Sequence, residues 1–426
     1  MFLQPCGETG VTDYDAIIVG AGPAGSTAAI LLASAKWSVA LIEKQAFPRR
    51  KVCGACIAAS NMPILAALGI GDEFARLAGP ELRDVAVYIA DRKVHAPLPA
   101  VPNTRQPWGR ALGRETLDRL LLERARELGA TVWQPWSMRA VTGSAGAFKC
   151  QIEARSAPAL QELRAPVLIM ANGSWEGDVQ NSRHVARKSS DLFAFKANFS
   201  NARLARGVLP VISFAGGYGG LVIADDGQLT LAGCIRRDRL KACRAAAPGQ
   251  TAGESFETYL RSQSRALGDA LKDAQREGRW LGIGPIQPGI RAPWQPADGR
   301  FLVGNAAAEA HPIIGEGISM AMQAAWLLCV RLIAAGRSNA SPRALHRVGA
   351  DYSRQWMRAF APRLYLASAL AQLAMRPWLA ASAWPLFSRA PQLMTVLARR
   401  AGKARLLPIS LGIPPPGGTE SLGDVN

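Results

Sequence analysis

Three glycines at the end of an apolar strand carry the strongest chemical signal in the sequence. Gly20, Gly22 and Gly25 have the spacing G-x-G-x-x-G and directly follow the apolar segment 16–19. This spacing lets the backbone turn tightly, approach a diphosphate closely and present the positive end of the next helix to the phosphates. The segment therefore predicts a dinucleotide site. Its backbone also includes Pro23 and Ala24.

An acidic residue follows a second apolar strand, as such a site requires. The segment 38–42 is predicted as a strand, and it ends at Glu43 and Lys44. A carboxylate about twenty residues beyond the glycines accepts hydrogen bonds from a ribose. Strand, glycine turn, helix, second strand and terminal acid make a complete β-α-β unit, which indicates an α/β protein with a Rossmann-like domain.

A second glycine-rich segment, GRFLVGNAAAEAHPIIGEG at 299–317, predicts the other end of the same ligand. A strand over 301–304 leads into the segment, and a helix is predicted over 318–334. The backbone N–H groups at this helix start would face the pyrimidine edge of a flavin, where negative charge accumulates on reduction. The two segments together indicate bound FAD. The residues predicted to line this second end are Gly304, Asn305, Pro312, Gly315, Glu316, Gly317 and Ile318.

The composition limits the class of protein. The chain has 426 residues, a formal net charge of +18 and seven cysteines. An odd number of cysteines with a single CxxC, at Cys53 and Cys56, favours reduced cytoplasmic thiols over a disulfide framework or a metal site. The N-terminal segment lacks the basic and apolar regions of a secretion signal, and no uncharged apolar run approaches a membrane span in length. We therefore expect a cytoplasmic globular protein without a bound metal.

The excess positive charge is concentrated near the C-terminus. Between Arg337 and Arg405 the only acid is Asp351, and apolar residues such as Trp378 and Leu386 alternate with the arginines. Basic residues among apolar, Trp-bearing segments suit a helix at the anionic inner face of a membrane, so peripheral contact is expected there. The alternative is an arginine-rich helical tail packed on the protein. No nucleic-acid recognition motif is present, so we expect no nucleic-acid partner.

The predicted elements interleave, which indicates a discontinuous domain arrangement. Helices are predicted over 114–128 and 255–275, short antiparallel strands over 131–154 and a turn at 216–220. The predicted domains are an FAD-binding domain (1–85, 110–183 and 285–336), an inserted antiparallel β-sheet domain for substrate (86–109 and 184–284), a C-terminal helical basic region (337–408) and a tail expected to be disordered (409–426).

Four segments resemble the FAD-dependent superfamily of aromatic hydroxylases (class A flavin monooxygenases) and geranylgeranyl reductases, most closely its geranylgeranyl-reductase-like branch. They are VGAGPAGSTAA at 19–29, FPRRKVCG at 47–54, GRETLDRLLLERARELGA at 113–130 and GNAAAEAHPIIGEGI at 304–318. The resemblance implies that Arg114 reaches the FAD phosphates and that Asn305 lies by the ribityl chain. It also implies that Cys53 and Gly54 lie near the flavin ring, below a β-sheet substrate domain.

Two positions depart from the family pattern. Asn305 stands where the family usually has the Asp of G-D-A-A, and Asn172 stands where hydroxylases have the Asp of an Asp-Gly motif. An amide can still hydrogen-bond a ribityl hydroxyl, but the loss of both carboxylates affects how a nicotinamide is handled. No second glycine fingerprint for a stable NAD(P)H domain is present. We therefore expect NAD(P)H to be a transient electron donor, or a partner reductase to replace it.

The resemblance leaves three functions open. The preferred one is a monooxygenase that hydroxylates a hydrophobic aromatic, such as a polyketide-derived or long-chain phenolic compound, through a C4a-hydroperoxyflavin. The alternatives are a flavin-dependent reductase of isoprenoid, geranylgeranyl-type double bonds and a non-catalytic FAD-binding protein. The stretch that begins at Tyr218 lacks the Tyr-x-Trp-x-Phe-Pro segment of geranylgeranyl reductases, and the Trp-x-Trp-x-Ile-Pro element of flavin halogenases is also missing. Both differences favour hydroxylation.

Two residues are the candidates for acid–base chemistry. His311 precedes Pro312 at the predicted flavin turn, and a histidine of ordinary pKa would deprotonate a phenol; the alternative is a structural histidine. Cys53 would donate a proton near the flavin, or would simply pack in the interior. Tyr218 and Trp294 are the candidate substrate contacts.

Overall fold

A computed structural model describes residues 11–155, 159–174 and 188–406. The predicted tail at 409–426 lies outside the described residues. The described strands are β1 Val11–Asp13, β2 Ala16–Val19, β3 Val39–Ile42, β4 Cys56–Ile57, β5 Asp84–Ile89, β6 Arg92–Pro97, β7 Arg110–Ala111, β8 Thr131–Trp133, β9 Trp136–Thr142, β10 Phe148–Ala154, β11 Leu160–Ala165, β12 Val167–Met170, β13 Leu192–Ser200, β14 Val208–Phe214, β15 Gly217–Ile223, β16 Leu229–Arg236, β17 Gln275–Ile286, β18 Gly289–Ile290, β19 Phe301–Leu302 and β20 Ala308–Glu309. The described helices are α1 Pro23–Ser34, α2 Met62–Ala67, α3 Gly71–Leu77, α4 Arg114–Glu127, α5 Arg237–Ala246, α6 Ala252–Gln263, α7 Arg265–Ala270, α8 Gly317–Ala335, α9 Pro342–Ala374, α10 Pro377–Arg389 and α11 Gln392–Ala401.

A five-stranded parallel sheet forms the Rossmann-like core, in the order β19-β12-β2-β3-β8. Strands β2, β3 and β12 are fully buried, as expected for parallel strands covered on both faces. Helix α1 is rich in small residues and packs between α4 and α8. A second sheet, in the order β1-β11-β10-β9, completes this part of the protein.

The seven-stranded sheet has the order β17-β13-β16-β15-β14-β5-β6, and its strands come from two separate parts of the chain, 84–97 and 192–286. All its pairs are antiparallel except β14 with β5. One face is covered by α5 and α6, where Phe195 of the sheet stacks on Phe256 at 5.1 Å between ring centroids. The other face is directed toward the FAD-binding part. The architecture is therefore a Rossmann-like domain, an inserted mostly antiparallel sheet and C-terminal helices.

Three local predictions were wrong. Strand β8, at the start of the segment 131–154 that was expected to be antiparallel, pairs in parallel with β3. The turn expected at 216–220 is confined to its start, because Gly217 already begins β15 and Tyr218 is buried within it. A side chain at Gly217 would lie 2.2 Å from the Phe214 ring, so the glycine serves close packing inside the sheet. The helix expected over 255–275 is broken at Ser264, whose hydroxyl accepts the Leu267 N–H and starts α7, and β17 begins at Gln275.

The C-terminal helices connect the two parts. Helix α9 packs along α8, and its far end contacts β14 and β15 of the seven-stranded sheet. Helix α11 lies on the edge strand β6, where the Thr395 hydroxyl donates to the Pro97 carbonyl at 2.7 Å.

Helix α8 is long and apolar enough to cross a membrane. However, 72% of its most apolar stretch is buried in the protein, as in an ordinary core helix.

Candidate FAD and substrate site

The first glycine turn has the geometry that its spacing predicts. Gly20 has a φ of +102°, and a side chain there would lie 2.5 Å from the Ala171 carbonyl oxygen. A side chain at Gly25 would lie 1.8 Å from the Gly20 carbonyl oxygen. Gly22 forms the N-terminal boundary of α1, and Pro23 and Ala24 begin that helix. The turn therefore exposes backbone N–H groups at a helix N-terminus, where a diphosphate binds.

Two arginines converge over Gly22. A Cβ atom placed on Gly22 would lie 3.6 Å from Arg114 Nη2 and 3.7 Å from Arg49 Nη2. Both guanidinium groups are oriented by the buried carboxylate of Asp118, to which Arg114 donates two hydrogen bonds of 2.7 Å. The Arg49 Nε atom is buried without a partner among the described residues. A glycine turn, a helix start and two oriented guanidinium groups fit the diphosphate of FAD.

Glu43 lies at the end of β3 and is 2% exposed. Its Oε2 atom accepts the Ala21 N–H at 3.0 Å, and its Oε1 atom accepts the Gln45 N–H and Arg49 Nη1 at 2.9 and 2.8 Å. The Glu43 carboxylate thus stabilises the glycine turn by hydrogen bonds, next to the predicted ribose position. Its contact with a ribose, like that of the adjacent Lys44, remains a prediction.

The second glycine-rich segment runs from the end of β19 to the start of α8, and its glycine turn, 312–317, lies between β20 and α8. Gly304 and Asn305 form a short 3-10 helix, and the Asn305 Nδ2 atom donates to Ser174 Oγ at 2.9 Å. Pro312 starts a second 3-10 turn that ends at Gly315, which has a φ of +59°. Gly317 and Ile318 then begin α8, one residue before the predicted start of that helix; the contact of its N-terminus with a flavin stays a prediction.

A buried ion pair joins the second glycine turn to the C-terminal part of the chain. Glu316 is fully buried, and Lys403 Nζ lies 3.0 Å from its Oε1 atom and donates to the Gly315 carbonyl at 3.2 Å. Arg363 of α9 is also fully buried, and its Nη1 atom donates to Gln323 Oε1 at 2.9 Å. Burial lowers the pKa of Arg363, while the nearby Glu316 carboxylate raises it. Arg363 of α9 and Lys403, which follows α11, therefore compensate the charge of Glu316.

His311 and Tyr218 form a hydrogen-bonded pair between the two domains. Tyr218 Oη and His311 Nδ1 are 3.1 Å apart, and both side chains are buried. Burial lowers the pKa of His311 to about 4 and raises the pKa of Tyr218 well above its ordinary value. Both groups are therefore neutral at neutral pH. An imidazole of this pKa is a weak base by itself, so the pair provides a polar hydrogen-bonding contact in an apolar setting.

The surroundings of this pair form what we call the interdomain apolar cluster. The cluster combines the sheet, the second glycine turn, the FPRRKVCG loop and the end of α9. Its members are Val52, Leu192, Ala194, Tyr218, Cys234, Ile283, Ile286, Ile313, Ala371, Ala374 and Met375. The end of α9 is fixed on the sheet because the Ser213 hydroxyl donates to the Ala374 carbonyl at 2.6 Å. The cluster is the candidate site for an apolar substrate.

Two other predicted residues have different surroundings. Cys53 is half-buried near Arg114, and its Sγ atom accepts the Ala55 N–H at 3.4 Å, while the next residue, Gly54, faces Ala232 of the sheet. Trp294 packs in the Rossmann-side core, edge-on to His346 at 5.4 Å between centroids. The structure thus brings Cys53 to the domain boundary but does not bring Trp294 to the cluster that contains Tyr218.

Sequence reasoning missed four residues of the site. Arg49 lies inside the quoted FPRRKVCG motif, and Asp118 lies one helical turn after Arg114, so both had a local signal. Arg363 and Lys403 had none, because their positions depend on the packing of distant elements.

Comparison with known proteins agrees with this geometry. Residues 13–359, most of the chain, match the family model described as FAD binding domain. Conditioned medium factor receptor 1 of Dictyostelium discoideum is 26% identical over 369 residues, which cover 82% of this chain and 68% of that protein. Digeranylgeranylglycerophospholipid reductase of Methanoculleus marisnigri is 31% identical over 169 residues, which cover 38% of this chain and 39% of that protein.

Solved structures share the fold. The myxobacterial chondrochloren halogenase CndH superposes with a TM-score of 0.73 at 19% identity, covering 92% of this chain and 91% of its own. PqsL, a probable FAD-dependent monooxygenase from Pseudomonas aeruginosa, superposes with a TM-score of 0.68 at 19% identity, covering 88% of this chain and 100% of its own. At these identities the likeness establishes the fold alone. The family match, on a chain whose glycine turn and paired arginines fit a diphosphate, places the protein in the FAD binding domain family as an FAD-dependent oxidoreductase.

Proposed function

We propose that the protein is an FAD-dependent monooxygenase that hydroxylates a hydrophobic aromatic substrate, such as a polyketide-derived or long-chain phenolic compound, with NAD(P)H as a transient electron donor. The observation that carries the proposal is the buried Tyr218–His311 pair inside the interdomain apolar cluster. An apolar cluster with one hydrogen-bonding pair suits an aromatic ring that carries a hydroxyl group.

The roles of the cofactor and of the protein follow from the site. FAD, when bound, supplies the redox chemistry with oxygen, and the protein orients the substrate and excludes water. Arg49 and Arg114 would hold the diphosphate, and the start of α8 would face the flavin pyrimidine edge. The neutral Tyr218–His311 pair would hydrogen-bond a phenolic hydroxyl and orient the ring.

The second candidate is reduction of isoprenoid double bonds. It is favoured by the 31% identity with the archaeal lipid reductase over part of the chain, and an apolar cluster also suits a prenyl chain. Since the family is one of oxidoreductases, the non-catalytic alternative is not proposed.

Isotope labelling separates the two functions. The holoenzyme is incubated with ¹⁸O₂, with NADPH or NADH, and with a panel of alkyl phenols and polyketide phenols. The proposal predicts a product that gains one labelled oxygen atom. Anaerobic incubation with a geranylgeranyl lipid and dithionite tests the alternative, which predicts a gain of two hydrogens and no oxygen dependence. Labelled product when photoreduced holoenzyme is mixed with ¹⁸O₂, but not when either nicotinamide is the donor, would replace NAD(P)H by a partner reductase as the electron donor.

We further propose that the C-terminal helices contact the inner face of the membrane peripherally. Tyr365, Trp378 and Leu386 are 67%, 68% and 57% exposed, and Arg376 and Arg389 bracket α10. From 352 to 405 the chain contains no acidic residue, so this surface complements anionic lipid.

Vesicle flotation tests this contact. The intact protein should float with phosphatidylglycerol-containing vesicles at low salt and not with pure phosphatidylcholine vesicles. Trp378→Ser with Leu386→Ser should reduce binding at least about tenfold, because apolar insertion is lost. Leu160→Ser, at a 63% exposed position on β11, is the matched control and should bind as the wild type does. Absence of flotation with anionic vesicles would contradict the proposal.

A further inference from the structure

Three buried charges lie together at the second glycine turn, and we call them the α8 charge cluster: Glu316, Arg363 and Lys403. Glu316 forms the N-terminal boundary of α8 and is fully buried. Lys403 Nζ lies 3.0 Å from Glu316 Oε1. Arg363 is also fully buried; burial lowers its pKa, and the nearby Glu316 carboxylate raises it. Two buried cations against one buried acid leave the cluster with one excess positive charge.

Gly402 brings both cations to this place. It ends α11 with a φ of +110°, and the next residue in the chain is Lys403. A Cβ atom on Gly402 would lie 2.5 Å from Arg363 Nη1, so the guanidinium group packs directly against this glycine. The Lys403 carbonyl accepts the Ser60 N–H at 3.0 Å. The backbone of the C-terminal segment therefore fixes the position of both cations.

The charge of Arg363 is only partly compensated. Its Nη1 atom donates to Gln323 Oε1 at 2.9 Å, whereas its Nε and Nη2 atoms have no hydrogen-bond partner within the described part of the chain. Gln323 is neutral, and its Nε2 atom donates to Ser60 Oγ and Asn61 Oδ1 at 3.0 and 2.7 Å. The nearby Arg405 adds further positive charge and lowers the pKa of Arg363. In a buried setting the field of such a cation is weakly screened.

The α8 charge cluster adjoins the helix start that is predicted to face the flavin. The N–H groups in the first turn of α8 have no acceptor within the helix, so this end carries a partial positive charge. The Glu316 carboxylate opposes that potential, and the two cations offset the carboxylate. Lys403 also donates to the Gly315 carbonyl at 3.2 Å, and so fixes the turn that directs these N–H groups.

Reduction of a bound flavin makes this potential important. The oxidised ring is neutral, and it takes up two electrons and one proton, which leaves one negative charge at the pyrimidine edge. A fixed positive potential at that edge stabilises the reduced ring more than the oxidised ring. It therefore raises the reduction potential of the cofactor, just as a nearby cation favours the ionised form of an acid.

We infer that Lys403 and Arg363 are positioning residues of the flavin site, which act through Glu316 and the start of α8 to raise the reduction potential of bound FAD. The inference depends on FAD binding and not on the proposed hydroxylation. Failure of the oxygen-labelling experiment would therefore refute the proposed reaction and leave this inference intact.

Reduction potentials of holoenzyme variants test the inference, because opposite changes of charge must have opposite effects. The potential is measured anaerobically by coupled reduction with xanthine, xanthine oxidase and a reference dye. Lys403→Met should lower the potential by at least about 30 mV, a tenfold change in the equilibrium constant for two-electron reduction, and Glu316→Gln should raise it by at least as much. Arg363→Met should lower it, as Lys403→Met does.

Two controls separate charge from structure. The double variant of Lys403→Met with Glu316→Gln keeps the net charge of the cluster and should have a potential close to that of the wild type. Arg105→Met removes a cation from the exposed ion pair with Asp72 and should leave the potential unchanged.

Two results would overturn the inference. Loosening of the turn alone would move the potentials of Lys403→Met and Glu316→Gln in the same direction, and an absent field would leave both equal to the wild type. If Lys403→Met does not retain FAD, Glu316→Gln decides by itself: a raised potential supports the inference, and an unchanged or lowered one refutes it.

Discussion

Replacing Gly25 with alanine is expected to abolish FAD binding. The new Cβ atom would lie 1.8 Å from the Gly20 carbonyl oxygen, and this neighbour is backbone of the same turn. The turn must therefore open, which moves the N–H groups at the start of α1 away from the diphosphate. We expect FAD affinity to fall at least about 100-fold, or about 2.8 kcal/mol. The measurement is titration of apoprotein with FAD, followed by flavin fluorescence quenching.

Gly268→Ala is the matched control for this prediction. Gly268 lies within α7, and a Cβ atom there meets no other atom within 4 Å. Alanine favours a helix over glycine, so this variant should bind FAD as the wild type does and be slightly more stable. Wild-type FAD affinity in Gly25→Ala would show that the turn is not the cofactor site.

The second large effect is expected from Lys403→Met. Removal of the ammonium group leaves the fully buried Glu316 without its 3.0 Å ion-pair partner, and Arg363, which makes no ion pair with Glu316 among the described residues, compensates the buried charge only in part. We expect the free energy of unfolding to fall by about 3–5 kcal/mol, measured by urea denaturation with saturating FAD. The turn before α8 should also loosen, since Lys403 donates to the Gly315 carbonyl.

Two further variants test whether the buried charge of Glu316 causes the loss of stability in Lys403→Met. Adding Glu316→Gln to Lys403→Met removes the orphaned charge and should restore part of the lost stability, so that the two effects are not additive. Arg105→Met breaks the solvent-exposed ion pair with Asp72 and should leave the free energy of unfolding essentially unchanged. Equal effects of Lys403→Met and Arg105→Met would show that burial of the Glu316 pair is energetically unimportant.

The two predictions concern the two glycine turns of the site, but only the effect of Gly25→Ala could be predicted from the sequence. Gly20, Gly22 and Gly25 act through backbone conformation over six residues, and Glu43 follows one strand later. These relations are local, because a β-α-β unit fixes where each residue lies once its elements are known. The glycine turn, the parallel core and the start of α8 were therefore predictable in position and type.

The side chains that complete the site were decided by tertiary packing. Lys403 meets Gly315 although the two lie 88 residues apart in the chain, because α9 and α11 return to the second glycine turn. The hydrogen bond between Tyr218 and His311 depends on how the seven-stranded sheet packs over the Rossmann-like part.

The sequence by itself determined that this protein binds FAD through a Rossmann-like domain, because glycine spacing and apolar periodicity specify backbone geometry locally. Only the tertiary structure decided which charges are buried and that His311 is neutral and paired with Tyr218. Burial and pairing depend on contacts between distant segments, and it is those contacts that set the pKa values and the ligand preferences of the site.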